Sequence, residues 1–216
     1  MSMTVWTYDW VPGAERGPRG FVRDVRLRWA LEEAGLDYDV KTTPFAERDA
    51  KHFERQPFGQ IPFLEDGEIT IFESGACLLH IAKKSEKLMP RDPAGEADTL
   101  QWLIAGLSSV EMVSVPWWFL SISGAENKDL TGWLRKRLDH VAAVLSEREW
   151  LAAARFTVAD LLMADVLRVP KVRAFAESEG IEKYIERVCA RPAFKKAYAD
   201  QVAHFVAAER ARNALT

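Results

Sequence analysis

The periodicity of the sequence changes near residue 90, and this change limits the folds that the chain can adopt. Before that point, short strand-like runs alternate with helical patterns, whereas the pattern after it is helical almost throughout. The first part follows the order strand, helix, strand, helix, strand, strand, helix. We therefore expect a fold of class α/β plus all-α, in which a unit with a mixed sheet precedes an all-helical unit.

The elements of the first part are predicted from local patterns. Side chains alternate in character along Thr4 to Trp10, which is typical of a strand. A loop with two prolines and three glycines follows at residues 11–20, and helical spacing then predicts a helix that ends at Gly35. The remaining elements are a strand at Tyr38 to Thr43, a short helix within Glu47 to Gln56, a hairpin of Ile61 to Leu64 with Ile69 to Phe72, and a helix that opens at Ser74.

Two prolines, Pro90 and Pro93, separate the two parts of the pattern, because proline cannot continue a helix. The expected domains are residues 1–86, a linker at 87–94 and an all-helical domain at 95–216. Within the last of these, Thr157 and Asp160 form a capping box ahead of an apolar run, which predicts a helix start.

Charge and composition exclude several classes of protein. Lys plus Arg total 29 against 32 Asp plus Glu, and the resulting net charge of −3 lacks the strong basic field of nucleic-acid binders. The longest apolar run, at residues 113–122, is too short to cross a bilayer, and no secretory leader pattern opens the sequence. Two cysteines provide no disulfide framework. We therefore expect a cytoplasmic protein without a membrane or nucleic-acid partner.

Common catalytic motifs are missing from the sequence as well. A dinucleotide-binding glycine pattern, a Walker loop and a Gly-x-Ser-x-Gly elbow are all absent. The four histidines are scattered and the two cysteines are far apart, so we expect no metal site. Cys77 and Cys189 fall within predicted helices, and we expect both thiols to be buried and inert.

The most informative segment runs from Gln60 to Gly67 and is followed by Glu73 and Ser74. A cis Ile61–Pro62 bond would turn the backbone of Ile61 outward, where its N–H and C=O can pair with an extended peptide. A carboxylate, a hydroxyl and free N–H groups at a helix start suit the ammonium and carboxylate of an amino acid. A plain hairpin followed by a serine-capped helix explains the same residues.

This segment resembles the glutathione-binding half of the cytosolic glutathione S-transferases, in which a cis-proline, a strand, a turn and Glu/Gln-Ser follow in the same order. Val25 to Tyr38 resembles the family's first helix and second strand, Leu88 to Asp92 its interdomain linker, and Phe156 to Asp160 its helical-domain capping box. The resemblance implies a thioredoxin-like N-terminal domain, an all-α C-terminal domain and a homodimer.

The resemblance also implies roles for individual residues. Glu73 and Ser74 correspond to the pair that holds the γ-glutamyl end of glutathione. Ile61 corresponds to the residue whose backbone pairs with the cysteinyl part, and Pro62 to the cis-proline. Gln60 precedes them and would add a polar contact.

Arg48 falls where some classes of the family have a lysine that meets the glycine carboxylate of glutathione. A guanidinium suits that carboxylate because it can donate two parallel hydrogen bonds. A solvated surface charge is the alternative interpretation of this residue.

The resemblance does not identify the residue that stabilises the glutathione thiolate, because loop 11–20 contains no Ser, Thr, Tyr or Cys. Members of the family use a hydroxyl or a cysteine near this loop. Tyr8 on the first strand and Arg19 at the start of the first helix are the candidates, together with backbone N–H groups of that helix. A packed core Tyr8 without efficient catalysis is the alternative.

We expect an electrophile pocket lined by Trp10, Val11, Met112 and Trp117, with core packing as the alternative for Trp117. The implied function is a glutathione transferase that uses glutathione as co-substrate and adds its thiolate to a small hydrophobic electrophile, as in detoxification. The rival is a ligand carrier or regulatory protein that keeps this fold without the chemistry.

Overall fold

A computed structural model describes residues 2–12 and 18–214 of the chain. The chain divides into two units, Met1–Lys84 with Pro192–Thr216 and Ser85–Arg191. The first unit therefore takes its residues from both ends of the sequence. This division differs from the expected all-helical domain at 95–216, because the last helix packs within the first unit.

A four-stranded mixed sheet lies in the first unit. Its strands are β1 (Met3–Tyr8), β2 (Tyr38–Thr43), β3 (Phe63–Asp66) and β4 (Ile69–Phe72). Their order in the sheet is β2-β1-β3-β4. β1 is parallel to β2, with Met3 opposite Tyr38, and antiparallel to β3, with Val5 opposite Leu64. A parallel pair requires a crossover connection, which a helix between β1 and β2 provides.

Among the described residues, four helices belong to the first unit. They are α1 (Asp24–Ala34), α2 (Ala50–Arg55), α3 (Ser74–Ala82) and, at the end of the chain, α10 (Pro192–Asn213). α1 contacts both α3 and α10. Its buried Trp29 lies against Phe194 of α10, with ring centroids 4.7 Å apart. α1 ends at Gly35, whose φ of 68° is in the left-handed region that glycine tolerates.

The second unit is helical. It consists of α4 (Pro93–Ala105), a π-helical segment (Gly106–Glu111), α5 (Met112–Ile122), α6 (Lys128–Glu147), α7 (Val158–Leu167), α8 (Pro170–Ala176) and α9 (Glu179–Cys189). α7 is buried along its whole length and contacts α4, α8 and α9, so it forms the centre of this unit. The α/β and all-α classes expected from the sequence are thus confirmed, as is the capping box of Thr157 and Asp160.

The start of α4 corrects the expected linker. The helix begins at Pro93, which lies inside the segment 87–94 that we expected to be a linker. Proline fits the first helical position because an N–H group there has no intrahelical partner. Asp92 caps the helix by accepting a hydrogen bond from the Gly95 N–H at 2.7 Å.

Helical conformation continues from Pro93 to Ile122, a stretch of 30 residues. The stretch is long and apolar enough to cross a membrane, and the apolar run at 113–122 is only its last part. Core helices of soluble proteins meet the same criterion of length and composition. A single helix of this kind is therefore weak evidence for a membrane span.

Candidate functional site

The start of α3 carries the two residues predicted to bind the γ-glutamyl end of glutathione. Glu73 is the exposed N-cap, and its φ of 70° lies in the left-handed region. A non-glycine residue in this region costs about 1–3 kcal/mol, and such residues cluster at binding sites. Ser74 is buried, and its hydroxyl accepts a hydrogen bond from Arg26 Nη1 of α1 at 3.3 Å. The arrangement places an exposed carboxylate beside a helix N-terminus.

The cis-proline precedes β3 directly. The Ile61–Pro62 bond is cis, as the sequence predicted. The ladder between β1 and β3 begins at Phe63, which is opposite Trp6. Within 2–12 and 18–214, no residue forms a backbone hydrogen bond with the N–H or C=O of Ile61. These two groups can therefore pair with an extended ligand.

Gln56 holds the loop ahead of the cis-proline, and the sequence analysis did not single it out. Its side chain is buried, and its Oε1 accepts hydrogen bonds from the N–H groups of Phe58 at 2.7 Å and Gln60 at 3.1 Å. Gln60 itself is exposed. A polar side chain between a helix end and the Pro57-Phe58-Gly59 turn is the signal that would have identified Gln56.

Arg48 is bound mainly to the backbone of its own unit. Its Nε donates to the C=O of Gly59 at 3.0 Å, and its Nη1 donates to the carbonyls of Phe45, at 2.7 Å, and Pro44. The guanidinium lies over the Tyr8 ring, 4.8 Å from the centroid. Nη2 has no partner among the residues that the structure describes. The geometry thus favours one hydrogen bond from Nη2 to a carboxylate over the two parallel bonds considered from the sequence.

Tyr8 lies at the end of β1, next to the residues around the cis-proline. It is half-buried, and its ring meets Phe45 edge-on with centroids 5.1 Å apart. Both rings pack on a buried cluster of Val11, Val22, Ile61 and Phe205. In the described part of the chain, the Tyr8 hydroxyl has no hydrogen-bond partner. Its ring therefore packs beside the cluster that contains Ile61, while the hydroxyl forms no hydrogen bond with the described residues.

Arg19, the second catalytic candidate, is paired with the last helix. Its Nη2 forms an ion pair with the carboxylate of Glu209. Beside it, Gly20 has a φ of 79°, and a Cβ there would lie 2.7 Å from Cζ of Tyr198. Because Glu209 balances its charge, Arg19 is a weaker candidate for stabilising a thiolate than an unpaired arginine would be.

Two of the predicted pocket residues, Trp10 and Val11, belong to the first unit. Trp10 is half-buried between Phe45, with centroids 5.5 Å apart, and the guanidinium of Arg212, 4.1 Å from the ring centroid. Val11 is only 2% exposed and lies in the buried cluster, so its role is core packing rather than pocket lining.

The other two, Met112 and Trp117, belong to α5. Met112 is 53% exposed. Trp117 is half-buried, and its Nε1 donates a hydrogen bond to Thr131 Oγ1 at 3.2 Å. Its ring lies on Phe175, with centroids 4.7 Å apart. These contacts favour the core-packing interpretation of Trp117, whereas Met112 remains accessible.

Neither cysteine is suited to thiol chemistry. Burial raises the pKa of Cys77 to about 12 and that of Cys189 to about 11. The thiolate, which is the reactive form, is therefore disfavoured at both positions. Apart from the residues that the structure leaves undescribed, no three His, Cys, Asp or Glu side chains come together as a metal site.

Two family models match the chain. The glutathione S-transferase N-terminal domain matches residues 17–83, and the C-terminal domain matches residues 117–192. The chain is also 32% identical over 196 residues to glutathione S-transferase 3 of Zea mays, which covers 81% of this chain and 88% of the relative. The chain belongs to the glutathione S-transferase family. Its relatives over most of its length are enzymes of this family, so the expected enzyme class is confirmed.

Solved structures share the fold. A glutathione transferase from Pseudomonas putida with glutathione disulfide bound has a TM-score of 0.76 at 21% identity, covering 91% of this chain and 90% of that chain. The nitrogen regulation fragment of the yeast prion protein Ure2p has a TM-score of 0.75 at 21% identity, covering 92% and 96%. The thioredoxin-like N-terminal domain and helical C-terminal domain of glutathione S-transferases are thus confirmed for this chain.

Proposed function

We propose that this glutathione S-transferase binds glutathione along the cis-proline and the start of α3 and activates its thiol as a thiolate. The observation that carries the proposal is that the Ile61 backbone has no partner among the described residues two positions before Phe63, while Glu73 and the N-terminus of α3 directly follow Phe72, which is opposite Phe63. In this arrangement Ile61 pairs with the cysteinyl part, while Glu73 holds the ammonium and Ser74 the carboxylate of the γ-glutamyl end. Gln60 and the Nη2 of Arg48 then lie toward the glycine end.

Activation of the thiol requires a group that stabilises the thiolate more than the neutral thiol. Lowering a thiol pKa from about 8.5 to about 6.5 takes about 2.7 kcal/mol of preferential stabilisation. The hydroxyl of Tyr8 suits this role best, because none of the described residues bonds to it and its ring packs on the cluster that contains Ile61. The first turn of α1 adds the positive end of its dipole. Arg19 contributes less, since Glu209 neutralises it.

The second substrate is proposed to be a small hydrophobic electrophile. Trp10 and Met112 have the exposure that contact with such a molecule needs, whereas Val11 and Trp117 serve packing. Positioning of the electrophile beside the thiolate would then account for most of the rate. We further propose that the protein acts in the cytoplasm as a homodimer.

The experiment that tests the function is the thiolate absorbance of bound glutathione against pH, for the wild type, Tyr8→Phe and the control Tyr38→Phe. We expect a wild-type thiol pKa near 6.5, a higher value in Tyr8→Phe, and no change in Tyr38→Phe, whose hydroxyl bonds Glu32 instead.

Two other outcomes carry different conclusions. A lowered thiol pKa that Tyr8→Phe leaves in place would assign the role to the start of α1. An unshifted pKa of the glutathione thiol, or no binding of glutathione, would favour a carrier or regulatory protein. The absence of Ser, Thr, Tyr and Cys from loop 11–20 also supports that alternative.

A further inference from the structure

One face of the last helix contacts the end of β1, the last residues of loop 11–20 and the start of α1. Tyr198 packs against Gly20, Gln201 bonds to Val22 and Asp24, His204 bonds to Tyr8, Glu209 pairs with Arg19, and Arg212 lies over Trp10. These positions recur about once per turn, so they share a face of α10. The end of β1 and the start of α1 are therefore held by the same rigid element.

Gln201 fixes the start of α1. It is fully buried, and its Nε2 donates hydrogen bonds to the C=O of Val22 at 2.9 Å and to Oδ1 of Asp24 at 2.6 Å. Burial raises the pKa of the Asp24 carboxyl against the lowering effect of Arg28. α1 has no side-chain N-cap of its own. α10 therefore contributes to the position of the first turn of α1, in addition to the Arg28 Nε donor within α1 itself.

His204 fixes the end of β1. Its Nε2 lies 3.0 Å from the carbonyl oxygen of Tyr8. Because a carbonyl oxygen only accepts, Nε2 must carry a proton, which it does both in the neutral Nε2–H tautomer and in the charged ring. The hydrogen bond is therefore available in either charge state of the histidine.

We propose that α10 positions the thiolate site, with Gln201 fixing the start of α1 and His204 fixing Tyr8. This inference rests on the proposed function, in which two groups stabilise the same sulfur. They are the Tyr8 hydroxyl, which precedes loop 11–20 in the sequence, and the first turn of α1, which follows it. Their separation must stay constant for both to act. Misplacement of a reacting group by about 1 Å can cost about 10²-fold in rate.

The test compares four variants of the full chain with the wild type. His204→Leu and Gln201→Met remove the donors, and His204→Gln keeps an Nε2–H the same number of bonds from the backbone. The control Lys196→Met removes a different contact of α10 with α1, the ion pair with Glu32. The thiol pKa of bound glutathione, kcat and KM with a nitroaryl halide, and the unfolding temperature are measured for each.

We expect His204→Leu and Gln201→Met to raise the pKa of the bound thiol and to lower kcat about tenfold, with a smaller change in the KM for glutathione. His204→Gln should restore both values, and Lys196→Met should affect only the unfolding temperature. The inference would be overturned if His204→Leu and Gln201→Met lowered the unfolding temperature, as Lys196→Met does, but kept the wild-type thiol pKa and kcat. A wild type that leaves the thiol pKa unshifted would refute the proposed function, and this inference with it.

Discussion

Arg48 connects three parts of the proposed glutathione site through one side chain. Its guanidinium binds carbonyls of the loop between β2 and α2, binds the carbonyl of Gly59 ahead of the cis-proline, and covers the ring of Tyr8. Each hydrogen bond from a charged donor contributes about 1.5–3 kcal/mol. The main effect of Arg48 is therefore to order the proposed site. Attraction between its guanidinium and the glycine carboxylate of glutathione is secondary.

We predict that Arg48→Ala raises the KM for glutathione about tenfold and lowers the free energy of unfolding by about 2 kcal/mol, because the loop carbonyls lose their donor. Arg48→Lys should not restore either value, since one ammonium cannot reach carbonyls on two sides. Steady-state kinetics and urea unfolding check this.

Arg55→Ala is the matched control. Arg55 lies over the Trp6 ring at 4.2 Å and pairs with Glu65, but it bonds neither loop. Its removal should lower stability without affecting the KM for glutathione. An unchanged KM in Arg48→Ala would contradict the ordering role.

The candidate site residues that could be predicted from the sequence are those whose positions follow from their neighbours in the chain. Ile61–Pro62 and Glu73 with Ser74 are recognisable because turn, strand and helix start follow one another. His204 was missed because the carbonyl that it binds lies 196 positions earlier. A polar residue on a helix gives no local sign of such a partner, and only the packing of α10 on the first loop supplies it.

The start of α7 collects four hydrogen bonds on a single carboxylate. Oδ1 of Asp160 accepts hydrogen bonds from the Leu151 N–H at 2.9 Å and the Tyr184 hydroxyl at 3.0 Å. Oδ2 accepts from the N–H and the hydroxyl of Thr157. Burial nevertheless raises the pKa of Asp160. The capping box thus joins α7, α9 and the chain before α7.

We predict that Asp160→Ala lowers the free energy of unfolding by about 3 kcal/mol, because four donors lose their acceptor inside the protein. Asp92→Ala is the comparison, since Asp92 caps α4 at the surface through one N–H and its loss should cost about 1 kcal/mol. Denaturant unfolding of both variants measures the difference. Equal losses would show that burial and the extra donors add nothing to an ordinary cap.

Periodicity predicted most elements but not how they are interrupted. The helical pattern after residue 90 predicted regular helices, whereas Gly106–Glu111 is a π-helical segment. A Cβ on Gly106 would lie 3.2 Å from Leu162 of α7. Close approach between helices is a property of the packed unit, and a stripe of apolar residues does not reveal it.

At the scale of the molecule, the first unit leaves several large apolar side chains uncovered. They are Phe53, Phe58, Ile69 and Phe72, of which Phe58 is 68% exposed. The rings of Phe58 and Phe72 are 6.3 Å apart. Contiguous apolar patches on a protein surface mark interaction sites more often than single exposed residues do. This surface supports the proposed homodimer.

We predict that Phe58→Ser weakens the dimer about 10³-fold. A symmetric interface contains the substitution twice, and each lost phenyl group removes about 2 kcal/mol of burial. Equilibrium sedimentation measures the change, with Trp133→Ser on α6 as a control at another exposed aromatic residue. A wild type that sediments as a monomer would exclude the dimer.

The first unit is completed by the last helix of the chain, and this has a consequence for synthesis on the ribosome. Domains generally fold in the order in which they emerge. Here β1 to α3 emerge before α10, so Val22, Asp24 and the carbonyl of Tyr8 have no hydrogen bonds from α10 until α10 itself has been translated. The second unit is continuous in sequence and can form while α10 is still being made. The earlier segment of the first unit thus reaches its final contacts only after a much later segment has been made.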